Sequence, residues 1–250
     1  MNKFIGCRKC NSTKGYIIEN NTDGNEYVAI KCNCLIKYQE EEQFKLHLKE
    51  SNVLEKFNTF NIASYQGLDE NNNLKLIDLY IENFKKEFTN YNLYFYGDYG
   101  TQKTYLSKYI ISELFKQKIS CYYILADQLI KLLIDIRRDE SLNQRDLLLN
   151  KDFLVIDELS DDKCTIYQSE YQLPFFTSFL KDRLEIKSKS TLFISNYPIE
   201  TLYKSKFGGT IADLINRECK DKLLFKDNYF SLNKNDIKNI GSKLKQMMEK

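Results

Sequence analysis

The sequence predicts an α/β domain, a parallel sheet flanked by helices, preceded by a small module that holds four cysteines. Short apolar runs alternate with helical patterns from about residue 93 onwards, and the first run ends in a glycine turn that leads into a helix. Two close cysteine pairs before residue 36 indicate a metal-pinned module. We therefore expect a metal-binding module over 1–36, a linker helix and loop over 37–73, and the α/β domain over 74–250.

Length and composition limit the number of domains and the kinds of partner that the chain can have. With 250 residues and 42% hydrophobic content, the chain can bury one substantial core and carry a small appended module. The formal net charge of +2 gives no overall attraction to nucleic acid, so such contacts would need local clusters. The first ten residues lack an apolar signal region, and no apolar run approaches the roughly 18 residues of a spanning helix. We expect a soluble cytoplasmic protein with no membrane partner.

The amino-terminal cysteines are spaced as metal ligands. Cys7 and Cys10 have the spacing of a zinc knuckle, and Cys32 and Cys34 form a tighter second pair. Four thiolates make a closed tetrahedral site for Zn²⁺, and so short a segment lacks a core of its own without metal. The sequence predicts a structural zinc site on a hairpin. The other cysteines, Cys121, Cys164 and Cys219, occur singly and are expected to be free thiols.

The remaining elements follow from periodicity. Apolar residues at helical spacing predict a connecting helix from Leu35 to about Lys56, and a polar loop is expected through Asn58–Asn73. The α/β domain should then contain helices at Leu74–Phe88, after Thr104, at Ala126–Arg138 and at Leu173–Leu184, and strands at Leu93–Tyr96, Ser120–Leu125, Phe153–Ile156 and Thr191–Ser195.

The glycine turn after the first strand of this domain fits a P-loop. It reads Gly97-Asp98-Tyr99-Gly100-Thr101-Gln102-Lys103-Thr104, with Gln102 at the place of the last glycine. In a P-loop the backbone N–H groups surround the phosphates, the lysine reaches the β and γ oxygens, and the hydroxyl binds Mg²⁺. We expect ATP to be bound by Gly97, Gly100, Thr101, Gln102, Lys103 and Thr104. A side chain at position 102 crowds the helix entrance, which predicts weakened binding.

A second motif supplies carboxylates. The strand Phe153–Ile156 delivers Asp157 and Glu158 at its end, about fifty residues after the P-loop, as in a Walker B strand. Asp157 is expected to hold Mg²⁺ together with Thr104, and Glu158 to polarise the attacking water. Two acids after a buried strand are by themselves more typical of a solvated loop, but the preceding P-loop favours the functional interpretation.

A third strand, Thr191–Ser195, ends at Asn196. In AAA+ proteins a polar residue at this place, called sensor 1, lies between the two Walker strands and helps to position the water near the γ-phosphate. Asn196 is the candidate. An asparagine turn before Pro198 is the alternative interpretation.

Together these motifs give a resemblance to a known family. The run from Leu93 to Phe230 resembles the ATPase domain of the DnaC/DnaI helicase loaders, which are AAA+ proteins, and of their IstB-type transposition relatives. The cysteine pairs resemble the module of the DnaI-like branch. The resemblance implies ATP and Mg²⁺ as cofactors and a role in delivering or regulating the replicative DNA helicase on single-stranded DNA at replication initiation. A homo-oligomer is left open.

Three departures from this family bear on catalysis. Besides Gln102, the segment from Gly208 to Ile215 resembles the stretch that carries arginine fingers, yet it holds Thr210 and Leu214 there, and only Arg217 lies close by. The stretch Asp227–Phe230 ends in phenylalanine where the family has arginine. Loss of these cations removes stabilisation of the transferring phosphoryl group, so at most a weak ATPase is expected.

Three functional hypotheses therefore stay open: an ATP-responsive loader, an IstB-like transposition regulator, and a degenerate adaptor that works without nucleotide. The cysteine module favours the loader, and Gln102 with the missing arginines favours the adaptor. Basic residues at Arg137, Arg138, Arg145, Lys187 and Lys189 are candidates for contact with single-stranded DNA phosphates, although solvated surface charge is the commoner interpretation. Arg183 resembles a family arginine with a structural or sensing role.

Overall fold

The structure is a computed structural model, and it divides the chain into two compact units that meet in sequence at Glu50 and Ser51. It describes residues 6–10, 15–20, 27–52, 65, 72–138, 144–160 and 173–226. The predicted loop at Asn58–Asn73 lies almost entirely outside these ranges, as do Cys164 and the stretch Asp227–Phe230. No helix within the described ranges is long and apolar enough to cross a membrane.

The smaller unit contains the predicted hairpin and the predicted helix. Strands β1 (Tyr16–Asn20) and β2 (Tyr27–Lys31) pair antiparallel, with Tyr16 opposite Lys31. Helix α1 (Asn33–Glu50) follows directly. It begins two residues earlier than expected and ends before Lys56, because the chain turns at Ser51 and Asn52, where Asn52 adopts the left-handed conformation that stops helices.

The larger unit alternates strands with helices, as the sequence predicts. Its elements are α2 (Asn73–Asn83), β3 (Asn92–Gly97), α3 (Lys103–Lys116), β4 (Cys121–Leu125), α4 (Ala126–Arg138), α5 (Gln144–Asn150), β5 (Phe153–Asp157), α6 (Leu173–Lys181), β6 (Ser190–Ile194), α7 (Ile199–Leu202), α8 (Gly208–Glu218) and β7 (Cys219–Phe225). Helices α2 and α6 each continue into a π-helical turn, over Phe84–Phe88 and Asp182–Ile186. Helices α5, α7 and α8 and strand β7 were not predicted.

The five strands of this unit form one parallel sheet in the order β4-β5-β6-β3-β7. The predicted parallel sheet flanked by helices is thus confirmed. Strand β5 is buried throughout and lies between β4 and β6, and β6 lies beside β3. The carboxyl ends of β3, β5 and β6, which carry the three candidate motifs, therefore meet at one edge of the sheet.

Helices cover both faces of the sheet. Helices α4, α6 and α8 share a hydrophobic core with strand residues such as Leu154, Ile156 and Phe193. Helix α3 packs against β4, β5 and β6. Tyr80 and Phe84 pack their rings on Phe153 at the amino-terminal end of β5. This burial fixes the sheet and leaves its carboxyl edge open for a site.

Arg183 lies fully buried within this core. Its guanidinium donates to the carbonyl oxygens of Leu148, Leu149 and Lys151 at the end of α5, to that of Ser190 and to the Thr191 hydroxyl, at 2.7–3.2 Å. Burial lowers the pKa of Arg183 to about 9, which leaves the group charged at neutral pH. The cation satisfies carbonyls that the end of a helix leaves without N–H partners and ties α5 to β6. Of the two roles expected for this arginine, the contacts are those of a structural residue.

Candidate functional site

The four cysteines of the smaller unit come together as predicted. Their sulfur atoms all lie within 4.8 Å of one another. The Sγ atoms are 3.8 Å apart for Cys7 and Cys10, 3.6 Å for Cys7 and Cys32, and 3.2 Å for Cys10 and Cys34. A tetrahedral zinc with bonds of about 2.3 Å spaces its sulfurs by about 3.8 Å. The donor set and its spacing therefore fit a structural zinc ion.

Local backbone geometry explains why the cysteines converge. The N–H of Cys10 donates to the Cys7 carbonyl at 3.1 Å, which closes the knuckle turn. Cys32 follows β2 and precedes α1, so Cys34 lies in the first helical turn. A hydrogen bond from the Lys9 main chain, aided by the Cys32 thiol, lowers the pKa of Cys7 to about 7. Each pair thus presents its sulfurs from a turn with fixed geometry.

The glycines of the P-loop occupy positions that require glycine. Gly97 has φ of 141°, and a Cβ atom there would lie 1.9 Å from the Phe225 carbonyl oxygen on the neighbouring strand β7. Gly100 has φ of 85°. Gln102 also adopts the left-handed conformation, with φ of 60°, which costs a non-glycine residue about 1 kcal/mol. The backbone therefore keeps the P-loop shape while Gln102 bears the strain.

Lys103 is buried inside the loop. Its ammonium group donates to the carbonyl oxygens of Gly97 and Asp98 at 2.7 and 2.8 Å and to the Thr101 hydroxyl at 2.9 Å. These contacts hold the loop in shape around the lysine. Phosphate oxygens reach the ammonium group only by replacing some of them, so nucleotide binding must exchange loop contacts for phosphate contacts.

Thr104 and Asp157 meet as the two motifs require. The Thr104 hydroxyl donates to Oδ2 of Asp157 at 2.6 Å, and the Glu158 N–H donates to Oδ1 at 2.7 Å. Asp157 is buried at the end of β5. A hydroxyl and a carboxylate in contact beside a phosphate-binding loop are the oxygen ligands that Mg²⁺ takes in nucleotide sites. The residues present therefore fit the ion that the fold implies.

Glu158 is held by contacts on both sides of it. It has a left-handed backbone with φ of 57°, and the next residue, Leu159, donates its N–H to the Ile194 carbonyl at 2.9 Å. The Ser195 hydroxyl donates to the Leu159 carbonyl at 2.7 Å. The turn after β5 is thus fastened to the end of β6, and Glu158 lines the cleft at this edge of the sheet.

Asn196 lies between two anchored neighbours. The N–H of Ser195 donates to the Phe95 carbonyl of β3, the Tyr197 N–H donates to the Ser195 hydroxyl, and the Tyr94 hydroxyl donates to the Tyr197 carbonyl. Apart from Gly97, the predicted nucleotide-binding and catalytic residues all line one cleft of about 360 Å³. The cleft is lined by Tyr99, Gly100, Thr101, Gln102, Lys103, Thr104, Asp157, Glu158, Ile194, Ser195 and Asn196.

The segment that resembles an arginine-finger region forms α8 and lines a separate, open cleft of about 590 Å³. Thr210 is exposed there, whereas Leu214 is buried in the core and a charged residue would not fit in its place. Arg217 forms ion pairs with Glu185 and Glu218. The nearest arginine to this segment is therefore engaged within its own subunit.

Some of the basic side chains predicted to contact DNA form ion pairs within the protein. Arg145 forms an ion pair with Asp182, and Lys189 forms one with Asp152 at 2.7 Å. Lys187 is exposed. The side chains of Arg137 and Arg138 lie outside the described part of the structure. Two of the five predicted contacts are thus committed to carboxylates on the protein itself.

Two residues of the site were missed in the sequence. In the sequence Ser195 ends a predicted strand and Tyr123 lies within one, yet the Tyr123 hydroxyl donates to Oδ2 of Asp157 at 2.8 Å. Tyrosine is common in strands, so its type gave no signal. Strand register would have found it, because Leu125 pairs with Asp157 and Tyr123 lies two residues earlier on the same face.

Comparison with known proteins shows which solved structures share this fold. No family model and no curated protein matches the sequence. Among solved structures, the chain is similar to the DnaC helicase loader, with 23% identity and a TM-score of 0.57, over 69% of this chain and 100% of that one. It is also similar to a putative primosome component from Streptococcus pyogenes serotype M3, with 17% identity and a TM-score of 0.52, over 73% and 98% of the two chains.

A third similar structure is the replication initiator DnaA bound to AMPPCP and single-stranded DNA, with 20% identity and a TM-score of 0.51. The match covers 73% of this chain and 56% of that one. At these identities the likeness shows the fold, a five-stranded parallel sheet flanked by helices as in AAA+ domains. The predicted fold class, a parallel sheet flanked by helices, is therefore shared with these solved structures.

Proposed function

We propose that this chain is an ATP-binding helicase loader, which delivers or regulates the replicative DNA helicase on single-stranded DNA at replication initiation. The observation that carries the proposal is the meeting of Thr104 and Asp157 at 2.6 Å, with Glu158 and Asn196 lining the same cleft. A phosphate-binding loop, a metal pair, an acid and an amide at one sheet edge are the parts that ATP binding and switching need.

Each side chain then has one task. Lys103 would exchange loop carbonyls for the phosphate oxygens of a bound nucleotide, and Thr104 and Asp157 would hold Mg²⁺, which would neutralise phosphate charge. Glu158 would orient and polarise the attacking water, and Asn196 would help to position that water. Turnover is slow because Gln102 crowds the loop and the nearby Arg217 is paired with Glu185 and Glu218.

The loader assignment draws on the proteins of similar fold. One is a helicase loader, one a putative primosome component, and one a replication initiator bound to a nucleotide and single-stranded DNA. The four-cysteine unit, with Zn²⁺ bound, supplies a second folded surface that grips the helicase while the ATPase unit contacts DNA. Both assignments go beyond fold and rest on analogy.

A second function, a nucleotide-independent adaptor, is favoured by one observation. Lys103 is buried and bonded to Gly97, Asp98 and Thr101, and Gln102 occupies the strained position beside it. A loop that satisfies its own lysine has less to gain from phosphate. In that case the chain would bind the helicase with the same affinity whether or not ATP is present.

Calorimetric titration with ATP and MgCl₂ separates these two functions. We expect binding by the native chain, no binding by Lys103→Ala, and tighter binding by Gln102→Gly, because glycine relieves both the crowding and the strain. Absence of binding in the native chain with recovery in Gln102→Gly would instead establish the adaptor.

The partner is tested by gel filtration of the full chain with the replicative helicase of the same organism. We expect a complex whose yield depends on ATP and MgCl₂, and Lys103→Ala should remove that dependence without removing the complex. Separate elution of the two proteins under all nucleotide conditions would refute the loader role while leaving ATP binding intact.

A further inference from the structure

The residue on which this inference depends is Tyr123, in the edge strand β4. Its hydroxyl donates to the same carboxylate oxygen of Asp157 that receives the Thr104 hydroxyl. The opposite oxygen receives the Glu158 N–H. The carboxylate is therefore oriented by three donors from three directions, of which Tyr123 is the one that neither Walker motif supplies.

The tyrosine ring is fixed along its length. It lies on the face of β4 that points to α3, where the Lys108 ammonium group is 5.2 Å from the ring centroid. Thr104 and Lys108 are one helical turn apart on α3, so the ring lies between this helix and the end of β5.

The main chain of Tyr123 is fixed as well. On the outer side of β4, its N–H donates to the Ser51 carbonyl at 2.8 Å, and the Asn52 amide donates to its carbonyl at 3.0 Å. These two residues belong to the same unit as β4 and cover an edge that would otherwise face solvent with unpaired groups. The backbone, ring and hydroxyl of one residue are thus each held in place.

We propose that Tyr123 is a positioning residue for the magnesium site, and that its hydroxyl fixes the Asp157 carboxylate in the orientation that receives the ion. The inference rests on the proposed nucleotide function and deepens it. Groups that orient a metal ligand by hydrogen bonds change metal affinity by about 10- to 100-fold when they are removed. Because the Tyr123 hydroxyl contacts Asp157, its loss should lower the affinity for Mg²⁺ and leave the contacts between Lys103 and the phosphates unchanged.

The test compares Tyr123→Phe with Tyr122→Phe in the full chain. Tyr122 is its neighbour on the opposite face, where it packs against the hydrophobic core, so both variants lose one hydroxyl and keep the ring. ATP affinity is measured by calorimetry first in EDTA and then across a series of MgCl₂ concentrations. Thermal unfolding of each variant reports whether the fold is kept.

We expect Tyr123→Phe to raise by at least about tenfold the MgCl₂ concentration that gives half of the magnesium-dependent gain in ATP affinity. The ATP affinity of this variant in EDTA should be unchanged, and Tyr122→Phe should behave like the native chain. An unchanged magnesium midpoint in Tyr123→Phe would overturn the proposal. So would equal losses of affinity with and without Mg²⁺, which indicate a structural role. If the native chain shows no magnesium-dependent ATP binding, the proposed function fails first and the role of Tyr123 fails with it.

Discussion

Replacement of Arg183 by methionine tests whether a buried cation holds the sheet and α5 together. Methionine keeps much of the apolar volume of the side chain but removes every donor. Four carbonyl oxygens, of Leu148, Leu149, Lys151 and Ser190, then lose a bond of 2.7–3.2 Å inside the core. The first three lie at the end of α5, where no further helical turn supplies N–H groups.

Two opposing contributions set the change in the free energy of unfolding that Arg183→Met should cause. An unsatisfied buried acceptor costs about 1–3 kcal/mol, so four of them cost about 4–12 kcal/mol before relaxation. Burying the Arg183 charge costs several kcal/mol of desolvation, and the methionine variant avoids this cost. We expect a net loss of about 3–5 kcal/mol in the free energy of unfolding, a large share of the 5–15 kcal/mol typical of a domain.

Urea unfolding of the full chain, followed by circular dichroism, measures this loss. Arg217→Met is the control, because Arg217 is exposed and solvent screens its ion pairs with Glu185 and Glu218, so their loss should change stability little. An Arg183→Met variant within about 0.5 kcal/mol of the native chain would show that water or backbone shifts satisfy the carbonyls and would refute the reasoning.

Two further predictions concern the candidate sites. Metal analysis should find one zinc ion in the native chain and none in Cys32→Ser, because that variant lacks a ligand. Cys121→Ser is the control and should keep the zinc, because Cys121 is a buried thiol outside the cluster. Zinc retained in Cys32→Ser would contradict the site. Ser195→Ala should lower stability by about 1–3 kcal/mol and slow ATP hydrolysis, because the Glu158 turn loosens. Ser205→Ala removes a hydroxyl with similar main-chain bonds outside the cleft, so equal hydrolysis in both variants would argue against this role.

The sequence predicted the central elements because their signals are local. Helix Ala126–Arg138 has the predicted bounds, and β5 is apolar up to Asp157 and buried throughout. The three candidate motifs each follow the carboxyl end of a predicted strand, and parallel strands end at a common edge. The site could therefore be assembled before any contact was known.

The misses have physical causes. Strand β7 lies at the sheet edge, where Lys220 and Asp221 break the apolar pattern, and α5 has only seven residues. The contact of Tyr123 with Asp157 depends on strand register and on ring packing under α3. Both are properties of the assembled sheet that no single segment encodes.

The close approach of Gly97 to the Phe225 carbonyl has a consequence for the order of folding. The first glycine of the P-loop is confined by a strand that is synthesised long after it, so the contact that excludes a side chain at position 97 forms only once residues 219–225 are present. A fragment that ends before Cys219 would contain every residue of both Walker motifs and yet lack the wall against which the P-loop is formed.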